Sequence, residues 1–141
     1  MKKYLLMCGA LYIGCSPISH ADDVQKFYDD GYELMVEFRK CSTIKNQLGT
    51  ETSACLNKAE KSIGSKIKEF ESKHKIEIQQ RNRPFNGLID TAGFVQSQKD
   101  NCKKLYPTPL QPVFKNLIKS CQVQVDLNRY MYLSNAILGD S

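Results

Sequence analysis

A chain of 141 residues, 41% hydrophobic and a quarter charged, suits one domain around one modest core rather than several. The formal net charge of +5 is too small to suggest a nucleic-acid binder, which needs a dense basic patch interleaved with stacking aromatics. The acids and bases are instead segregated along the chain, as set out below.

The N-terminus has the three parts of a secretory signal peptide: Lys2 and Lys3, an apolar run from Tyr4 to Cys15, and the small-x-small ending Ser19-His20-Ala21. The run is too short for a permanent membrane-spanning helix. Cleavage is expected after Ala21, which leaves Asp22 to Ser141 as a single helical domain with a periplasmic or secreted address. A rival reading takes Leu11-Tyr12-Ile13-Gly14-Cys15 as a lipoprotein signal anchored at Cys15, although Tyr12 and Ile13 suit those positions poorly.

From Asp22 to Lys40, Val24, Phe27, Gly31, Leu34 and Phe38 step by three and four, with Tyr28 and Met35 widening the apolar face. Asp22 and Asp23 suit the positive end of such a helix, and Arg39 and Lys40 the negative end. A polar loop from Ser42 to Thr50 follows, with Thr52 or Ser53 as expected caps of the second helix. That helix places Leu56, Ala59, Ile63, Ile67 and Phe70 on one face and runs on as a charged stretch towards Gln80, with His74 expected at the surface. Arg81-Asn82-Arg83-Pro84-Phe85-Asn86-Gly87 breaks it. The third helix carries Leu88, Ala92, Val95 and Cys102, flanked by Ile89 and Leu105.

The three prolines of Tyr106 to Pro112 make a stiff connector. In the last segment, Val113 to Leu138, the expected inner side is Val113, Leu117, Cys121, Val125, Asn128 and Tyr132. The alternation from Cys121 to Leu127 also fits a strand. A lone strand has no partner elsewhere in the chain, so helix is expected. The result is an all-α, disulfide-stapled bundle of about four helices.

With Cys8 and Cys15 in the signal, four cysteines remain, and an even number in a small exported chain points to two disulfides. Three pairings exist. Cys41–Cys55 and Cys102–Cys121 are favoured because each closes a short loop, which stabilises by about 3 kcal/mol. Zinc is disfavoured: no pair has C-x-x-C spacing, and only His74 remains beside the cysteines. Asp22 to Cys41 carries six acids and three bases, whereas Leu56 to Arg83 carries eight bases and four acids. Two complementary helices lying together, or two independently solvated faces, explain this. Serine elbow, glycine-rich phosphate loop and HExxH are all missing, and the four-residue spacing of Asp29 and Glu33 is ordinary. No catalytic residue, cofactor or metal is expected.

The cysteine positions carry a resemblance. Cys41 is followed by Cys55-Leu56, and Phe94 stands eight residues ahead of Cys102. Cys121 is followed by Val125, Arg129 and Leu133 at four, eight and twelve residues. This spacing resembles the LprI-type lysozyme inhibitor family over Cys41 to Leu133. Phe94 stands where that family usually has tryptophan, and Gln98 where it has arginine.

The resemblance implies a small helical envelope protein whose partner is a peptidoglycan-degrading enzyme. A muramidase cuts between two carboxyl groups in a cleft, which a stiff loop bearing a cation can enter. Arg81, Arg83 and Phe85 in the first breaker are the sharper candidate contacts, since arginine forks match carboxylates. Tyr106 on the proline connector is the second. The acidic stretch from Asp22 to Glu37 is a further candidate face. Phe94 and Arg129 are expected to be structural, Phe94 in the core and Arg129 paired inside the bundle. The alternative is a non-catalytic envelope protein using the same scaffold for another protein partner.

Overall fold

In the computed structural model of this chain, residues 18–81 and 92–138 are described. They form helices α1 (Ile18–Ser42), α2 (Thr50–Lys73), α3 (Lys75–Arg81), α4 (Ala92–Lys104) and α5 (Lys115–Leu138), with a single 3-10 turn at Thr108–Leu110. No strand occurs among the described residues, and both expected disulfides are formed. The domain is therefore an all-α, disulfide-stapled bundle. None of the described helices is long and apolar enough to cross a membrane. Residues 1–17 of the expected signal segment, Cys15 among them, lie outside the described residues, while α1 begins at Ile18, upstream of the expected cleavage point at Ala21.

The segregated charges account for how α1 and α2 meet. Asp23 pairs with Lys73, Lys26 with Glu69 at 2.9 Å, Asp30 with Lys66 at 3.0 Å and Glu37 with Lys58 at 3.2 Å. One number rises as the other falls, so the two helices run antiparallel. Exposed pairs of this kind are each worth at most about 1 kcal/mol; their main effect is to fix register. Beneath them, Phe27, Leu34 and Cys41 of α1 face Leu56, Ala59, Ile63, Ile67 and Phe70 of α2, all buried. Every apolar position expected for the inner face of α2 is on it.

Helix α5 lies in the groove between these two. Asn116, Val123, Leu127, Tyr130, Ser134 and Ile137 are buried and recur every three to seven residues. A Cβ on Gly31 would meet Met131 Sδ at 3.0 Å, so glycine at that point is what lets α1 approach α5. The expected inner side of this helix is corrected by roughly two fifths of a turn. Val113 and Tyr132 are exposed, and Leu117, Cys121 and Val125 are only half-buried. The cause is compositional: the buried side contains Asn116, Asp126 and Ser134, so polarity alone ranks it below its neighbour.

Three local expectations are also corrected. Gly49, not Thr52 or Ser53, precedes the first turn of α2 without a side-chain cap. Thr52 is buried and its Oγ1 donates to the Asn46 carbonyl at 2.8 Å. His74 is buried between α2 and α3, its ring 4.5 Å from that of Phe70. Four residues beyond Phe70, it continues the inner stripe, although its sequence neighbours Lys73 and Lys75 are charged. Phe94 is 63% exposed rather than in the core. In α4 only Cys102 is fully buried among the described side chains, and Phe94 lies well round the helix from it.

Candidate partner-binding surface

Both disulfides sit at the same end of the bundle. Cys41 closes α1, Cys55 opens α2, Cys102 closes α4 and Cys121 lies in the second turn of α5. The 43–49 loop and the 105–114 connector share this end. Asn116 Nδ2, at the start of α5, donates to the carbonyls of Gln47 (3.1 Å) and Gly49 (2.8 Å). That buried amide joins the loop between α1 and α2 to the first turn of α5. Nothing in the sequence around Asn116 marks it; an asparagine just inside a helix usually reads as a capping residue.

The connector is itself braced. Tyr106 stacks on Phe114 with ring centroids 4.9 Å apart. Gln111 Nε2 donates to the carbonyls of Lys103 and Tyr106, both at 3.3 Å. Tyr106 is thus a half-buried brace with one ring face occupied. The exposed apolar groups here are aliphatic: Leu48, Leu105, Leu110 and Val113, with Lys45, Lys104 and Lys115 also exposed around them. Of the other expected contact residues, Arg81 is the last residue of α3, with its side chain outside the described residues; Arg83 and Phe85 lie outside them altogether.

Arg129 occupies the other flank of α5. Its Nη2 donates to Glu71 of α2 at 2.5 Å, while Nε is buried without a hydrogen-bond partner. Three residues earlier, Asp126 accepts from Lys99 Nζ of α4 at 2.6 Å. These two pairs form a polar seam joining α5 to α2 and to α4. Charges so placed are expensive to leave single, because a buried ion without its partner keeps its desolvation cost. Much of the acidic face expected on α1 is likewise engaged, since Asp23, Asp30 and Glu37 turn towards lysines of α2.

At the opposite end, a crevice of about 40 Å³ lies between α1, α2 and α5, bordered by Asp30, Lys66, Phe70, His74 and Tyr130. It has room for little more than one or two waters. Burial first, then Asp30 and Glu69, push the Tyr130 hydroxyl up to about 12, so it keeps its proton at neutral pH. Their mutual hydrogen bond raises Lys26 and lowers Glu69. The rim charges are thereby held in opposite-sign pairs. Among the described residues, no group of three His, Cys, Asp or Glu side chains is placed to hold a metal ion. Comparison with family models, curated proteins and solved structures gave no match to this chain.

Proposed function

We propose that the chain is an exported, non-catalytic protein that inhibits a lysozyme or another muramidase, with its disulfide-pinned loop end as the inserting surface. The observation that carries this reading is the coincidence of rigidity and exposure at one end. Two disulfides, the Asn116 clamp and the Tyr106–Phe114 stack hold two loops that present aliphatic side chains and lysines. A loop already fixed loses little conformational entropy on binding. Lysines beside it suit a cleft whose chemistry depends on two carboxyl groups. The cysteine spacing and Arg129 support the same reading through the resemblance they carry.

The experiment is a titration of the oxidised protein into peptidoglycan lysis by chicken-type, goose-type and phage-type muramidases. Near-stoichiometric slowing of at least one enzyme is expected, weakened by Leu110→Asp or Val113→Asp at unchanged helical content. Lysis unaffected in all three cases contradicts the proposal. Inhibition that survives both substitutions removes the loop end from it.

A further inference from the structure

The exposed side chains of the described residues sort by type. The aliphatic ones are Leu48, Leu105, Leu110 and Val113 at the loop end and Ile76 on α3; the aromatic ones are Tyr28, Tyr32, Phe94 and Tyr132. Helices α1 and α4 both pack on α5, and helical register turns those four rings towards the exposed side of α5 that lies between them, the valley. On α1, the α2-facing side is marked by Asp23, Asp30 and Glu37, and helical geometry turns Tyr28 and Tyr32 to the side away from it. On α4, Lys99 marks the side nearer α2 through Asp126, and Phe94 lies on the other side.

The rings also share a level. Gly31 lies against Tyr130 and Met131, which sets Tyr28 and Tyr32 beside the 128–132 turn of α5. The Cys102–Cys121 and Lys99–Asp126 links run in opposite directions along α4 and α5, so Phe94 comes level with the same turn and with Tyr132.

The floor between the rings is amide rather than charge. The ion pairs of α5, Lys119–Glu60, Asp126–Lys99 and Arg129–Glu71, all belong to its opposite flank. The valley side shows Gln124, Asn128 and Asn135, all exposed, with Gln124 Nε2 donating to Asn128 Oδ1 at 2.8 Å. Each of these amides offers donors and acceptors together.

From this arrangement we infer that the valley between α1 and α4 binds a neutral pyranose oligosaccharide, a site separate from the loop end. The C–H faces of a sugar ring pack on aromatic faces, and its hydroxyls both donate and accept, which matches amides and leaves no charge to neutralise. A protein partner would favour the reverse layout, with an apolar centre and a polar rim. Here the amides lie in the middle and the rings around them.

The test is titration of the full-length oxidised protein with two probes, the β-1,4-linked tetramers of N-acetylglucosamine and of glucose, followed by amide NMR shifts. Shifts centred on residues 28, 32, 94, 128, 132 and 135 at millimolar sugar are expected. Preference for the first probe identifies a wall-type glycan, and equal response identifies β-linked glycans in general. Tyr28→Ala and Tyr132→Ala should each weaken binding about tenfold, the loss of one stacking contact, with unchanged thermal unfolding. Asn128→Asp, which keeps all four rings, should weaken it as well. No shift with either tetramer, shifts elsewhere, or a dimer that Tyr132→Ala dissolves would overturn the site.

Discussion

The two disulfides should fail in different ways. Cys41 belongs to the core shared by α1, α2 and α5, and Cys55 packs against it. Cys102 is instead the only fully buried described side chain of a 13-residue helix, α4. Among the described residues, the other polar links of α4 to α5 are the Lys99–Asp126 pair and Gln122 Nε2 donating to the Lys99 carbonyl at 3.3 Å, and Val95 is only half-buried. Replacing Cys102 and Cys121 together by serine opens a crosslink spanning 19 residues of separation, worth about 3 kcal/mol by chain entropy. A helix of this length is marginal alone in water, and one ion pair with a single hydrogen bond recovers only about 2 kcal/mol of docking. The expected outcome is local: α4 undocks while α1, α2 and α5 stay folded. Hydrogen exchange by mass spectrometry reads this directly. Peptides within 93–104 should lose protection and peptides within 56–70 should keep it. Equal protection of α4 in both proteins, or simultaneous loss in α2 and α4, would refute the reasoning. Replacing Cys41 and Cys55 should instead lower the urea midpoint of the whole domain, through a crosslink of 14 residues of separation, again by about 3 kcal/mol.

Asn116→Ala takes the side-chain donor from the Gln47 carbonyl and leaves the Gly49 carbonyl with only the Ser53 N–H. A loss of about 1–2 kcal/mol in urea unfolding, with faster exchange confined to the 43–49 loop and the start of α2, is expected. Tyr130 sets an alkaline limit. The unfolded hydroxyl ionises near 10.0 and the folded one near 12, so the folded state holds a proton that the unfolded state releases. Its contribution is complete below the first value and is lost as pH rises through the second. The drop is about 2 kcal/mol once partial solvent access is allowed for. Tyr130→Phe should flatten that part of the stability profile; an identical slope in both proteins would contradict the assignment.

The parts of the fold that could be read from sequence are those where one physical signal dominates. The inner stripe of α2 is uninterrupted from Leu56 to Phe70, and the opposed charges of α1 and α2 translate into a ladder of ion pairs. The cysteine pairs follow from short loop closure. Helix α5 was harder because it touches three other helices, and its buried side carries Asn116, Asp126 and Ser134. Each polar group there is satisfied by a partner distant in sequence or by its own helix, such as Gln47, Lys99 or the Tyr130 carbonyl. Periodicity cannot see such partners. His74 and Phe94 fail for related reasons. Charged neighbours hide the inner position of the first, and the narrow contact of α4 leaves the second outside. Of the candidate surface, the stiffness of the proline connector was legible from its composition. The Tyr106–Phe114 stack and the Asn116 clamp arise from chain reversals that bring separated residues together, which composition does not carry.

The most direct test of the central claim is the initial rate of peptidoglycan lysis at increasing ratios of oxidised protein to muramidase. The inhibitor reading predicts a rate that falls towards zero near one equivalent for at least one enzyme type, and recovers in the Leu110→Asp and Val113→Asp proteins. A rate that stays constant through a large excess, for chicken-type, goose-type and phage-type enzymes alike, contradicts it.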